Sequence, residues 1–239
     1  MRKRWAMVAC LLAAGVAAAE PARLRLCTSD SPFYPYTMPD GSGLFQRRLQ
    51  ALASSLGLVL EQRVAPRARC LQYTRTGEAD ALIGIFTPER LAWLAYPMRE
   101  GGQPDTARGL GTARFVLYRR VGTAVQWDGQ RLTGLGALPL GVHFGYAYGA
   151  RLADLQVAVD DRATTAGQLM AKLERGRVGA VLMQQEQAQQ LLANGPQQGS
   201  GRIEALEPAF GTLTFYVIVT RDFQRRHGDL VERLWAAAR

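Results

Sequence analysis

Beyond residue 19 the sequence has no apolar run long enough to cross a bilayer, which takes about 20 residues, and it has a single lysine, Lys172. Histidine is limited to His143 and His227, and cysteine to Cys10, Cys27 and Cys70. No G-x-S-x-G, H-E-x-x-H or C-x-x-C pattern occurs, so the sequence offers no nucleophile elbow, zincin helix or redox dithiol. No metal site, cofactor or catalytic residue is expected, and the chain reads as a non-enzyme. There is also no basic run and no interleaving of basic and aromatic residues, which excludes a nucleic-acid face. The 29 basic residues against 20 acidic ones give a net charge of +9. Almost all of them are scattered arginines, a solvated surface with a mild preference for anions.

What is present begins with a short basic head, Met1-Arg2-Lys3-Arg4, followed by an uncharged, proline-free stretch from Trp5 to Ala19. A basic n-region, a short apolar h-region and small residues before Glu20 describe a secretory signal peptide over 1–19, cleaved before Glu20, and place the chain in the periplasm. The alternatives are an uncleaved anchor and lipoprotein processing at Cys10, which lies too early in the apolar run. Cleavage lowers the net charge to +6 and leaves Cys27 and Cys70. In an oxidising compartment these two either form a disulfide or stay as buried thiols.

One pattern occurs twice. Gly77-Glu78-Ala79-Asp80-Ala81-Leu82-Ile83 and Gly176-Arg177-Val178-Gly179-Ala180-Val181-Leu182 each follow a stretch of helical period. A helix closed by glycine, then a short apolar strand, is half of a βαβ unit, and its recurrence suggests two similar lobes. Strands are expected at Leu24–Thr28, Leu58–Val64, Phe115–Tyr118, Leu140–Val142, Leu155–Val159 and Leu213–Thr220. Helices are expected at Leu44–Leu56, from Arg90 to about Tyr96, at Gln184–Ala193 and from Asp229 onward. Stretches Pro97–Gly111 and Asn194–Gly201, poor in pattern, read as linkers. The expected architecture is α/β with two lobes, each a mixed, mostly parallel sheet flanked by helices, and two crossover linkers. Its division is 20–103 for the first part of lobe 1, 104–200 for lobe 2 and 201–239 for the return. Such a fold sets a cleft at the carboxyl ends of the strands.

At this point the residues resemble a known family, the family 3 periplasmic solute-binding proteins, which are polar-amino-acid-type receptors of ABC importers. The resemblance runs from Leu24 to Thr220 and implies the two-lobed, type II periplasmic-binding-protein-like fold. It is carried by Asp30-Ser31-Pro32-Phe33-Tyr34-Pro35-Tyr36, Asp40-Gly41-Ser42-Gly43-Leu44-Phe45, Gly77-Glu78-Ala79-Asp80-Ala81, Thr87-Pro88-Glu89-Arg90, Leu140-Gly141-Val142 with Gly145, and Gly176-Arg177-Val178. Pro66, Arg69, Cys70 and Leu71 also resemble a subgroup that carries a cysteine in its first strand, which implies a Cys27–Cys70 disulfide. Relatives run on for one more helix than this chain shows.

The resemblance implies that Arg90 binds a ligand carboxylate. Thr87 is a good N-cap, Pro88 suits the first helical position and Glu89 matches the dipole. An arginine next in line becomes sensible if an anion sits between it and the backbone N–H groups; the alternative is a surface arginine paired with a carboxylate. An aromatic near Phe33, with Tyr34 beside it, is implied to pack on the ligand, whereas Tyr36 reads as loop packing. Arg67 stands where the subgroup has tryptophan, and faces either the cleft or solvent. Gln184 stands where amino-acid receptors carry a carboxylate for the α-amino group. Tyr146 follows Gly145 where threonine is usual, and the serine-type donors expected near Gly84-Ile85-Phe86 are absent. His143 reads as a strand-end residue. The expected function is binding of an amino acid or related small, carboxylate-bearing anion by a monomer that delivers it to an inner-membrane permease. The alternative is a sensory protein reporting to a membrane partner.

Overall fold

The computed structural model describes residues 20–144, Tyr148, 150–194 and 202–238. The signal-peptide reading over 1–19, Tyr146, and most of the second expected linker lie outside them.

In chain order the strands and helices are β1 (Arg23–Ser29), α1 (Leu44–Ser55), β2 (Val59–Ala65), α2 (Arg67–Thr76), β3 (Ala81–Ile85), β4 (Leu94–Ala95), β5 (Gly111–Arg120), β6 (Gln126–Trp127), β7 (Leu132–Thr133) and β8 (Leu140–His143). They continue with α3 (Ala150–Asp154), β9 (Val159–Ala163), α4 (Ala166–Glu174), β10 (Ala180–Gln184), α5 (Gln185–Asn194), β11 (Ile203–Thr220), α6 (Arg221–Arg226) and α7 (Gly228–Ala237). Local chemistry accounts for several ends. α1 buries Phe45, Leu49 and Ala53, one face of a 3.6-residue period. α2 stops because Gly77 takes the left-handed conformation at φ +78°, and α4 starts because Thr165 Oγ1 accepts from Gln168 N at 3.1 Å.

The main sheet has the order β2-β1-β3-β11-β5-β10-β8-β9, with β4 attached to β11. It reads alike from either end. β3 lies between parallel β1 and antiparallel β11, and β10 lies between parallel β8 and antiparallel β5. The repeated glycine-helix-strand pattern of the sequence therefore marks equivalent places in two mixed half-sheets, as the two-lobed architecture requires. The halves meet at β5 and β11, which run antiparallel along most of their length. Their register shifts between Leu206 and Gly211, and Trp127, whose Nε1 donates to Pro208 O at 2.7 Å, covers the resulting bulge.

Three elements differ from expectation. The helix expected from Arg90 to Tyr96 is a 3-10 turn, Pro88–Ala92, followed by β4. Leu94 and Ala95 pair with Thr220 and Val219, and Pro97 disfavours continued helix. The strand expected at Leu155–Val159 lies at β9, starting where the other ended. β11 begins ten residues before Leu213, because Ile203–Leu206 pair with Leu117–Arg120 far away in sequence. Residues 97–111 are folded: Asp105 accepts from Ala107 N and from both Arg99 and Arg108, and Leu110 N donates to Phe215 O. α7 covers the first half-sheet with buried Val231, Leu234 and Trp235, each such apolar side chain contributing roughly 1.5–3 kcal/mol on burial. Among the described residues no helix is long and apolar enough to cross a membrane.

Candidate functional site

A cleft opens where β1 and β3 end, the place at which open α/β sheets receive ligands. Its walls combine the end of β1 (Cys27 to Ser29), the end of β3 (Ile83 to Ile85), Phe33 and Thr37 from the loop after β1, and Phe115 and Phe215 from the two crossing strands. Arg67 and Arg90 supply its charge.

Arg67 is the first residue of α2, and its Nη1 donates to Ile83 O at 3.2 Å. Its Nη2 lies 2.8 Å from where a Cβ on Gly84 would stand. A side chain at position 84 would collide with the guanidinium. The missing serine-type donors and the arginine at 67 are thus one exchange: the backbone at Gly84 clears the space that Arg67 fills.

Arg90 lies in the 3-10 turn after β3 and is half-buried. Burial lowers its pKa, an effect opposed mainly by the Tyr96 hydroxyl and Glu89, and no carboxylate among the described residues comes within ion-pair distance of it. Thr87 caps nothing through its side chain; its Oγ1 is buried, and it acts with Arg90 on the buried Tyr96 hydroxyl. Burial raises the pKa of Tyr96, while Arg90, Arg67 and Thr87 pull it back. The two guanidinium groups line the cleft, while the Tyr96 and Thr87 hydroxyls lie behind them, outside its lining. Tyr96 had no sequence signal beyond its place six residues after Arg90.

Phe33 is 4% exposed and stacks on Phe215 and Phe115 at ring-centroid distances of 5.3 and 6.2 Å. It separates the cleft from a second compartment of about 250 Å³ formed with His143, Tyr148, Gln184 and Gln187. Tyr36 packs on Phe45 at 4.6 Å within the same aromatic group. Tyr34 points elsewhere, 37% exposed, into an outer groove beside Met38 and the start of α4. The structure brings Phe33, Arg67 and Arg90 together, sets Thr87 beside them and Gln184 across Phe33, and leaves Tyr34 apart.

Gln184 ends β10 at 1% exposure. Its Oε1 accepts from Gln187 N at 2.7 Å, while its buried Nε2 acts on the Tyr36 hydroxyl. A backbone N–H can only donate, so the amide orientation is fixed, and the other group is a donor. His143 Nδ1 faces Phe144 O at 3.0 Å, which sets the proton on Nδ1. Burial lowers its pKa, with the carbonyls of Phe144 and Thr164 opposing. The halves touch directly, Gln187 Nε2 donating to Pro32 O at 2.8 Å. Asp80 of the G-x-x-D-A pattern holds no ligand position; it accepts from Arg25 Nε and Nη2 at 2.7 Å each. Cys27 and Cys70 form a disulfide with a Cα–Cα distance of 5.4 Å. Among the described residues no three potential metal ligands cluster.

No protein-family model and no curated protein sequence matches this chain. Solved structures do. The amino acid ABC transporter substrate-binding protein AbpA of Streptococcus pneumoniae, bound to L-arginine, superposes with a TM-score of 0.66 at 19% identity, over 91% of this chain and 87% of that one. The GluR0 ligand-binding core of Nostoc punctiforme, in complex with L-glutamate, gives 0.64 at 14% identity, over 90% and 91%. The periplasmic domain of BvgS from B. pertussis gives 0.64 at 18% identity; 90% of this chain is covered, but only 42% of the BvgS domain.

Proposed function

We propose that this chain, which has the two-lobed fold of periplasmic binding proteins, is an exported, non-catalytic receptor for a small anionic solute. The lobes are 20–103 with 201–239, and 104–200. The observation that carries the reading is Arg90: a half-buried guanidinium, without a carboxylate partner among the described residues, facing a cleft between the halves. A buried charge with no counter-charge is costly, and a bound carboxylate would supply one through charge-assisted hydrogen bonds. Arg67 would add a second donor to the ligand's oxygens, and Phe33 would pack on the ligand body.

The solute enters against the first lobe and the second closes over it through the paired strands β5 and β11. The closed form is then handed to an inner-membrane permease, as the likeness to a transporter substrate-binding protein supports. A second reading, ligand sensing for a membrane signalling partner, is favoured by the likeness to the BvgS periplasmic domain. An adjacent permease and ATPase gene pair supports transport, and an adjacent histidine kinase gene supports sensing.

The test is a thermal-shift screen of the chain from Glu20 against amino acids, dicarboxylates and other small anions. A ligand at a hundred times its Kd adds about 2.7 kcal/mol of stability. Arg90→Ala is expected to abolish that gain; retention of the full shift in the variant refutes the assignment.

A further inference from the structure

We infer that the cleft selects a compact dianion, with two negative charges carried on oxygen, over a zwitterionic amino acid. This rests on the binding reading above and specifies its ligand class. Two observations carry it independently.

The first is the charge of the lining. Arg67 and Arg90 both face the cleft, and no aspartate or glutamate lines either compartment. Glu186 of the second lobe stays outside both linings, acting on the hydroxyls of Tyr36 and Tyr118, with its Oε2 buried. An ammonium group brought into this space would lose its water, meet two guanidinium groups and find no carboxylate. A ligand with a second negative charge would meet Arg67, which is held by Ile83 O and given room by Gly84.

The second is the direction of Gln184. Its acceptor oxygen is engaged by Gln187 N, and what remains is the buried Nε2 donor, which also acts on the Tyr36 hydroxyl. A donor there welcomes another oxygen and opposes an ammonium. His143, with Nδ1 turned to Phe144 O, adds no negative charge. The rest of the wall, Phe33, Phe115, Phe215, Ile83 and Ile85, suits hydrocarbon. Two short carboxylates or one phosphoryl group would present the same concentrated double charge.

The experiment is calorimetric titration of the chain from Glu20 with matched probes at pH 7.5. Glutarate, L-glutamate and monomethyl glutarate share a carbon skeleton and differ in the ammonium or in one charge; phenyl phosphate and inorganic phosphate form the second arm. A dianion is expected to bind at least ten-fold tighter than both L-glutamate and the monoester. Arg67→Gln should bring the dianion-to-monoanion affinity ratio close to one, and Arg67→Lys should restore most of it, with circular dichroism confirming that both variants fold. Tighter glutarate assigns a dicarboxylate, and tighter phenyl phosphate a phosphoryl group. Preferential binding of L-glutamate or another amino acid overturns this inference alone. An unchanged ratio in Arg67→Gln does the same. Failure of every probe, together with every amino acid and anion of the screen, overturns the receptor reading as well.

Discussion

Two buried polar side chains, Asp80 and His143, reach low exposure by different routes, and only one should make folding depend on pH near neutrality. Asp80, 3% exposed, is met by the guanidinium and the backbone N–H of Arg25, so its charge is compensated where it lies. His143, 8% exposed, is lowered in pKa chiefly by burial. In the unfolded chain an imidazole titrates near 6.5. Below that pH the unfolded state takes up a proton that the folded state resists. The unfolded state then binds more protons, so stability rises with pH across this window. It is fully present above the unfolded value and lost as pH falls toward the depressed folded one. The urea midpoint at pH 5.5 should therefore lie below that at pH 7.5, and His143→Gln should shrink the difference. An equal difference in the variant would show that other groups set it. The carboxylates held low by their partners, such as Asp160 beside Lys172, lose their contribution at more acidic pH and do not enter this window.

At the level of elements, the disulfide joins β1 to α2, and Arg67 stands one helical turn before Cys70. It closes a loop of sequence separation 43. On the chain-entropy account, opening such a loop costs about 4 kcal/mol, and measured values are often smaller. The paired change Cys27→Ala with Cys70→Ala should lower the urea midpoint by an amount equivalent to about 2–4 kcal/mol. A midpoint within error of the parent chain would show that β1 and α2 are held by packing alone. What was legible in the sequence follows the reach of each signal. β1, α1, β2 and the two glycine-closed helices carry their period, caps and breakers within a dozen residues, and pattern suffices. β4 and the first part of β11 form because of partners more than eighty residues away, as with Leu94 on Thr220 and Ile203 on Arg120, and no local period reports that. Of the residues that line the cleft, Arg90 and Phe33 carry motif signals in the sequence, whereas Arg67 reads equally as facing the cleft or solvent. Tyr96 is not legible, because its role depends on the turn at Pro88–Ala92 replacing a helix. Gly84 looked like a missing donor, since the space it leaves is meaningful only once Arg67 is placed in it.

For the whole molecule, the palindromic strand order leaves β5 and β11 as the shared centre, and Phe115 sits where they meet β10. Motion between the halves must bend these strands, and the register shift between Leu206 and Gly211 marks where the ladder already gives way. Three contacts oppose opening: Gln187 Nε2 on Pro32 O, the stacking of Phe33 on Phe115, and Tyr36 close to Glu186. Gln187 is the most separable of these, since Phe33 also belongs to the core and Tyr36 to the aromatic group around Phe45. A single hydrogen bond contributes about 1 kcal/mol net, so losing it should shift an open–closed equilibrium roughly five-fold toward open. Spin labels at Arg69→Cys on α2 and Gln189→Cys on α5, both exposed positions, would report the separation of the halves. In Gln187→Ala the distance distribution should gain a longer component in the free protein, and a saturating ligand found in the screen should collapse it to the short one. If the variant and its parent give the same distribution without ligand, the Gln187–Pro32 contact does not govern closure, and the stacking of Phe33 on the crossing strands must carry it.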